Sequence, residues 1–177
     1  MRLLLGLCCL LLLACNRQGD EPGSAARSTE QDEQTIRGLI TSLNEGMTRA
    51  LTTGGIDTDS LMDFYYEKDI YYITPWGWSE PLDSTKSRIR RASAILRDYD
   101  NRIENLEVKV YGDGAYASYI FRQNSMINDM MLEEYLPTTV ILERRGEGWK
   151  IVRMHRSTDY ETFQQYVAMQ QQQQAGR

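Results

Sequence analysis

Two arginines are the residues of this chain whose type and spacing could do chemistry. With the two-residue period of a strand, Arg156 shares a face with Val152 and Met154, and Arg122 shares one with Tyr116, Ser118 and Ile120. A guanidinium among mostly apolar neighbours needs a partner, because an unpaired buried charge costs several kcal/mol. Internal carboxylates from Glu133, Glu134 or Asp69 would supply one. A bound carboxylate, held through two parallel hydrogen bonds, would supply another. Both readings stand at this point.

Other chemistries are thinly provided for. His155 is the single histidine, so His-based metal clusters and triads with a second histidine are excluded, and alternation sets it on the face opposite Arg156. No HExxH, CxxC, P-loop or GxGxxG pattern occurs. Proton transfer at an enolisable carbon needs a pocket carboxylate and a donor for the enolate. Glu133 or Glu134 would serve as the first and Tyr72 or Tyr116 as the second, but eleven tyrosines leave no pair singled out. Trp76 and Trp78, in a Pro/Gly loop, would either wall a pocket mouth or plug a core.

The elements that must position these residues follow from periodicity. Ile36, Leu39, Ile40, Leu43, Met47 and Leu51 form the stripe of one helix face, starting at Ser28 or Thr29 and ending at Gly54-Gly55. A short helix is expected over 60–66, with Leu61, Phe64 and Tyr65 as its apolar side, followed by a strand over 70–74 that Pro75 stops. Asp83 or Ser84 should cap a third helix running to Leu96. Ile89, Ala92, Ser93 and Leu96 would face inward, with Lys86, Arg88, Arg90, Arg91 and Arg97 on a solvated side. From Ile103 the period switches to two, and turns at Gly112-Asp113-Gly114, Asn128-Asp129 and 145–148 divide the rest into strands. Pro137 should mark a bulge or an exposed ladder position. The tail over 161–177 begins as a helix with Phe163, Tyr166 and Val167, and no internal repeat is visible. Helices followed by an antiparallel meander predict an α+β domain, a curved antiparallel sheet wrapped around the N-terminal helices as a cone-shaped barrel.

The N-terminus bears on location. Met1-Arg2, an apolar run over Leu3–Leu13 and a small residue before Cys15 resemble a bacterial lipobox. At about 1.5 Å per residue that run spans about half of a roughly 30 Å hydrocarbon core, too little for a spanning anchor. The expected organisation is a signal peptide over 1–14, a lipidated Cys15 with a flexible tether over 15–27, a domain over 28–160 and the tail. Cys8 and Cys9 would leave with the signal, so no disulfide is available to the domain. The likeness to bacterial lipoproteins implies, from Asn16 rather than Asp after the cysteine, an outer-membrane anchor facing the periplasm if the source has two membranes. A net charge of −5 and a pI near 5.0 argue against nucleic acid and anionic lipid as partners.

The residues Phe64-Tyr65-Tyr66-Glu67-Lys68-Asp69-Ile70, the Gly-x-Gly turn at 112–114 and the terminal run Gly148-Trp149-Lys150-Ile151-Val152-Arg153-Met154-His155-Arg156-Ser157 resemble, in order and spacing, the SnoaL-like branch of the nuclear transport factor 2-like (cystatin-like cone) superfamily. The closing His-Arg-Ser is similar to that of the association domain of calcium/calmodulin-dependent protein kinase II. The resemblance implies a cone pocket for carboxylate ligands in which Arg156 and Arg122 correspond to pocket arginines. A third pocket arginine of that family, near Thr139-Val140, has no counterpart in this chain. The expectation is a lipid-anchored domain that binds a small acidic or amphipathic molecule without catalysis and without a cofactor or metal. Arg122 and Arg156 would hold its anionic end, and Tyr72, Tyr116 and Trp76 would pack the remainder. A cyclase- or isomerase-type enzyme and a structural homodimer or envelope scaffold are the alternatives.

Overall fold

A computed structural model describes residues 28–53, 57–127 and 130–175. The proposed signal, Cys15, the tether, the Gly54-Gly55 stop and the Asn128-Asp129 turn lie outside these residues. Helix α1 (Thr29–Thr53) is opened by Ser28, whose hydroxyl accepts from the Gln31 amide at 3.1 Å. It buries Ile36, Ile40 and Leu43 as its stripe requires. Helix α2 (Thr58–Tyr65) is capped by Asp57, which accepts from the amides of Asp59 and Ser60. Its phase differs from expectation, with Met62 buried and Phe64 68% exposed. A helix of two turns that packs at both ends has too few residues for its stripe to be read from spacing.

Strand β1 (Tyr66–Ile73) and the two-residue β2 (Ser79–Glu80) precede α3 (Leu82–Ser93). Then come β3 (Leu96–Tyr111), β4 (Gly114–Ile127), β5 (Met130–Arg145), β6 (Gly148–Arg156) and α4 (Tyr160–Ala175). The third helix thus ends before Leu96, which opens β3 instead. The early half of β3 escapes the period-two reading because Asp98 (φ 49°) and Asn105 (φ 55°) sit at register shifts that reverse the alternation. Gly112 and Gly146 supply the positive φ that the flanking hairpin turns need.

The sheet order is β2-β1-β6-β5-β4-β3, with β1 parallel to β6 and the other pairs antiparallel. The α+β class is as expected, but the sheet is curved and open rather than a closed barrel. Its inner face carries Ala115, Ala117, Tyr119 and Phe121 from β4 and Leu136, Val140 and Leu142 from β5, all buried against α1–α3. At the end where the β3–β4 and β5–β6 turns meet, Asp32 of α1 takes Arg144 at 2.5 Å and the Trp149 indole N–H at 3.4 Å. Arg144 also reaches Asp113 at 3.2 Å and lies 4.4 Å over the Trp149 ring. Further along α1, Thr48 accepts from Asn101 of β3 at 2.8 Å.

Strand β5 outruns β6, whose last pair is Thr138↔Arg156. The unpaired edge is taken over by the chain that follows: Pro137 O accepts from the Ser157 amide at 3.0 Å. Thr162 Oγ1 and Gln165 Oε1 of α4 then accept from the amides of Tyr135 and Glu133, each at 3.1 Å. Pro137 faces this edge, so it needs no bulge, and its pairing with Ile120 continues the β4–β5 register without a shift.

The Asp32–Arg144 pair is largely enclosed, at 8% and 18% side-chain exposure. Asp32→Ala should therefore lower unfolding free energy by roughly 3 kcal/mol, since a buried pair loses more when one partner is removed than when both are replaced. Arg91→Ala, on an exposed helix position, should change it by about 0.5 kcal/mol or less. Denaturant titration of both variants checks this.

Candidate functional site

At the end opposite the Asp32 cluster the helices do not fill the curve of the sheet, and a cavity of about 160 Å³ remains. Leu43 and Met47 of α1, Ile89 of α3, Ile70 of β1 and Phe121 of β4 give it apolar walls. The polar groups in the wall are few: Asn44, Tyr66, Tyr72, Thr85, Tyr99 and Gln123, with the guanidinium groups of Arg88 and Arg156.

The two cations differ in how they are balanced. Arg88 makes a forked contact with Glu80, Nε at 3.1 Å and Nη2 at 3.0 Å from Oε2, and Thr85 donates to the same carboxylate at 3.0 Å. Arg156 enters no ion pair within 4.0 Å among the described residues, and its buried Nε has no hydrogen-bond partner. Its guanidinium lies 4.3 Å over the Phe121 ring, beside the Tyr119 hydroxyl. The residue is deep in the protein yet keeps some accessible surface, because what it faces is the cavity. Burial works against the charge, but the oxygens of Tyr72, Tyr119, Tyr66 and Tyr99 around it hold its pKa above the ordinary arginine value. It is a fixed cation. Burial also pushes the phenols of Tyr66, Tyr99 and Tyr119 up, so all three remain neutral hydroxyls.

A polar chain runs through the wall beside it. Asn101 donates to Tyr99 at 3.1 Å, Tyr99 donates to Gln123 at 3.2 Å, and the Gln123 amide donates to Glu134. Glu134 is buried, which pushes its pKa up, while Gln123 and the more distant Arg156 and Arg88 pull it down; burial prevails. The carboxylate lies behind Gln123 and is not part of the cavity wall.

Of the residues expected to form the site, Arg156 and Tyr72 line the cavity and the other three do not. Arg122 and Tyr116 point outward, since β4 buries its odd positions. Arg122 there binds Glu104 at 2.9 Å and stacks 4.6 Å over Tyr135. Its partner is thus Glu104, and none of Glu133, Glu134 or Asp69. The expected convergence of Arg122 with Arg156 is corrected by the same alternation that suggested it. Trp76 stacks with Trp78 at 6.3 Å and meets Tyr166 of α4 edge-on at 4.0 Å. It joins the loop to the last helix instead of packing a ligand. His155 is exposed on the outer face.

The basic side of α3 is likewise only partly a solvated face, for Lys86 pairs with Asp63 and Arg90 with Asp59 of α2. Arg88 is the charged wall residue that the sequence reading missed, beside the uncharged Asn44, Tyr66, Tyr99 and Gln123. Leu82, Thr85, Ile89 and Ala92 make the inward stripe of α3, and Arg88 falls within it. Among the described residues no group of three His, Cys, Asp or Glu is placed to hold a metal ion.

The sequence profile of the SnoaL-like domain matches residues 40–161, from the middle of α1 to the start of α4. The chain belongs to the SnoaL-like domain family. The architecture of this SnoaL-like domain is shared with solved structures at low identity. One is a candidate dehydratase of the nuclear transport factor 2-like family from Streptomyces avermitilis (15% identity, TM-score 0.61, 75% of this chain and 99% of that one). A second is a protein with a cystatin-like fold from Caulobacter vibrioides (12%, 0.57, 77% and 96%). A third is the calcium/calmodulin-dependent protein kinase II hub of S. rosetta (16%, 0.54, 69% and 95%). These likenesses concern the fold. No curated protein matches the SnoaL-like chain.

Because the folded-state pKa of Glu134 is raised above its unfolded value, the group's contribution to stability is full below about pH 4.3, the ordinary glutamate value, and is lost as pH rises through the folded pKa. Melting curves from acid to neutral pH should show Glu134→Gln gaining on the wild type as pH rises. Parallel curves would mean that Glu134 is not held under a burial penalty.

Proposed function

We propose that this SnoaL-like domain binds a small, amphipathic monoanion in the cavity, with Arg156 as the cationic anchor for its charge and Tyr72, Tyr66 and the apolar walls enclosing the remainder. The observation that carries the reading is Arg156, a guanidinium that lines the cavity without an ion pair within 4.0 Å among the described residues and whose buried Nε has no acceptor. A cation enclosed without a counter-ion is costly, and an anion entering the cavity relieves that cost. A cavity of about 160 Å³ is the size that accepts a single six-membered ring. Arg88 is already satisfied by Glu80, so one negative charge suits the site better than two. Catalysis of the isomerase or cyclase kind would call for Glu134, and its separation from the cavity by Gln123 favours binding.

The reading includes location and assembly. Cleavage before Cys15 and lipidation there would tether the domain to the outer membrane on the periplasmic side, as the apolar run and Asn16 suggest. Self-association through the outer sheet face is supported by Ile141 and the stacked pair Tyr111 and Tyr116, which leave that face partly apolar. The likeness to a kinase hub points the same way.

Benzoate at about 100 times its dissociation constant should add about 2.7 kcal/mol to the stability of the full-length protein, seen as a rise of several degrees in melting temperature. The rise should vanish in Arg156→Gln and persist in Arg122→Ala. A rise that depends on Arg122, or none in the wild type, would remove the reading. For the anchor, palmitate labelling of the full-length chain should mark the wild type and not Cys15→Ser.

A further inference from the structure

The direction of the Arg156 side chain joins two groups that the binding reading treats separately. Its backbone pairs with Thr138, yet its guanidinium lies over Phe121, which pairs with Leu136. The side chain therefore leans along the inner face of β5 toward the next inward residue, Glu134. Glu134 and Arg156 do not touch; Gln123 occupies one oxygen of the carboxylate, and Phe121 and Tyr119 occupy the guanidinium.

We propose that the cavity takes its anion together with a proton, the anion at Arg156 and the proton on Glu134. This rests on the reading that the cavity binds an anion. At a pH where Glu134 is ionised, the field of Arg156 favours that charge against the burial that opposes it. An anion that closes on Arg156 cancels that field while leaving the carboxyl as buried as before. Glu134 then gains a proton from solvent, and the charge of the group is unchanged: one cation and one anion before, one cation, one anion and one neutral acid after. The hydrogen bond from Gln123 survives, because a protonated carboxyl keeps an acceptor oxygen.

The surroundings leave no other group to compensate. From α3, Arg88 faces the same region, but Glu80 already holds it. From β3 comes Tyr99, whose burial keeps it neutral, and from β4 the uncharged Gln123. On the edge side, Glu133, Asp159 and Glu161 border the outer groove that Glu134 also reaches, together with Arg102 and Arg122, both of which Glu104 already holds. The raised pKa of Glu134, despite the pull of Arg156, fits a group poised to be protonated once that pull is cancelled.

The test begins without a ligand. In the full-length protein labelled with ¹³C at glutamate carboxyls, the signal lost in Glu134→Gln identifies Glu134, and its midpoint should rise by about one pH unit or more in Arg156→Gln. Arg156→Lys, which keeps the charge, serves if the glutamine variant does not fold, and its midpoint should stay nearer the wild type. An unchanged midpoint in Arg156→Gln overturns the proposal. With benzoate the wild-type midpoint should rise in the same way. Calorimetry in two buffers of different ionisation heat should then show proton uptake between the free and bound midpoints, where affinity falls by up to about tenfold per pH unit. In Glu134→Gln, binding should persist without uptake and with a flat profile. Binding to the wild type without proton uptake removes this inference and spares the binding reading. No binding at any pH removes both.

Discussion

The structure depends on where α1 is pinned to the sheet. Asp32 at the helix start holds Arg144, the Trp149 indole and, through Arg144, the turn at Asp113, so one end of the sheet is closed on the helix by a shared, enclosed carboxylate. From there α1 runs along β3, where Asn101 takes hold of Thr48. Helix α3 covers β1 and is tied to α2 through Lys86–Asp63 and Arg90–Asp59. Helix α1 closes the turn end, while α3 lines the other end without filling it. The cavity is thus a by-product of the anchoring.

Charge in that end is arranged by strand parity. Inward positions of β5 and β6 bring Glu134 and Arg156 to one side of the sheet, and outward positions of β3 and β4 bring Arg102, Glu104 and Arg122 to the other. The outer group is solvated, and its pairs contribute little to stability. The inner group is few in number and mostly shielded from water, so each charge there acts on the others over a longer range. That contrast makes Arg156 the residue around which the wall is organised, with four tyrosine oxygens near it and its Nε still without an acceptor.

Much of this was legible in the residues. The stripe of α1, the hairpin glycines and the alternation of β4–β6 gave the α+β class, and the terminal His-Arg-Ser pointed to Arg156. The phase of β4 was also readable: Ala115, Ala117, Tyr119 and Phe121 form a more apolar row than Tyr116, Ser118, Ile120 and Arg122, and weighing the two rows would have sent Arg122 outward. Other features were not readable, because they depend on contacts distant in sequence. The positive φ at Asp98 and Asn105 breaks the period of β3, so Tyr99 could not be assigned to the wall. That Glu80 would neutralise Arg88 depends on how the β1–β2 loop folds back on α3. The role of Trp76 could be seen only once α4 was in place beside it.

The unpaired stretch of β5 has a consequence of another kind. A bare edge of extended backbone is a template on which a strand from another molecule can add itself, the first step of runaway association. Here side chains of the last helix, Thr162 and Gln165, occupy its amides, and Pro137 contributes no amide at all. A helix cannot continue the ladder as a strand would, so the sheet ends there. The first two turns of the glutamine-rich final segment therefore act as a cover for this stretch of strand edge.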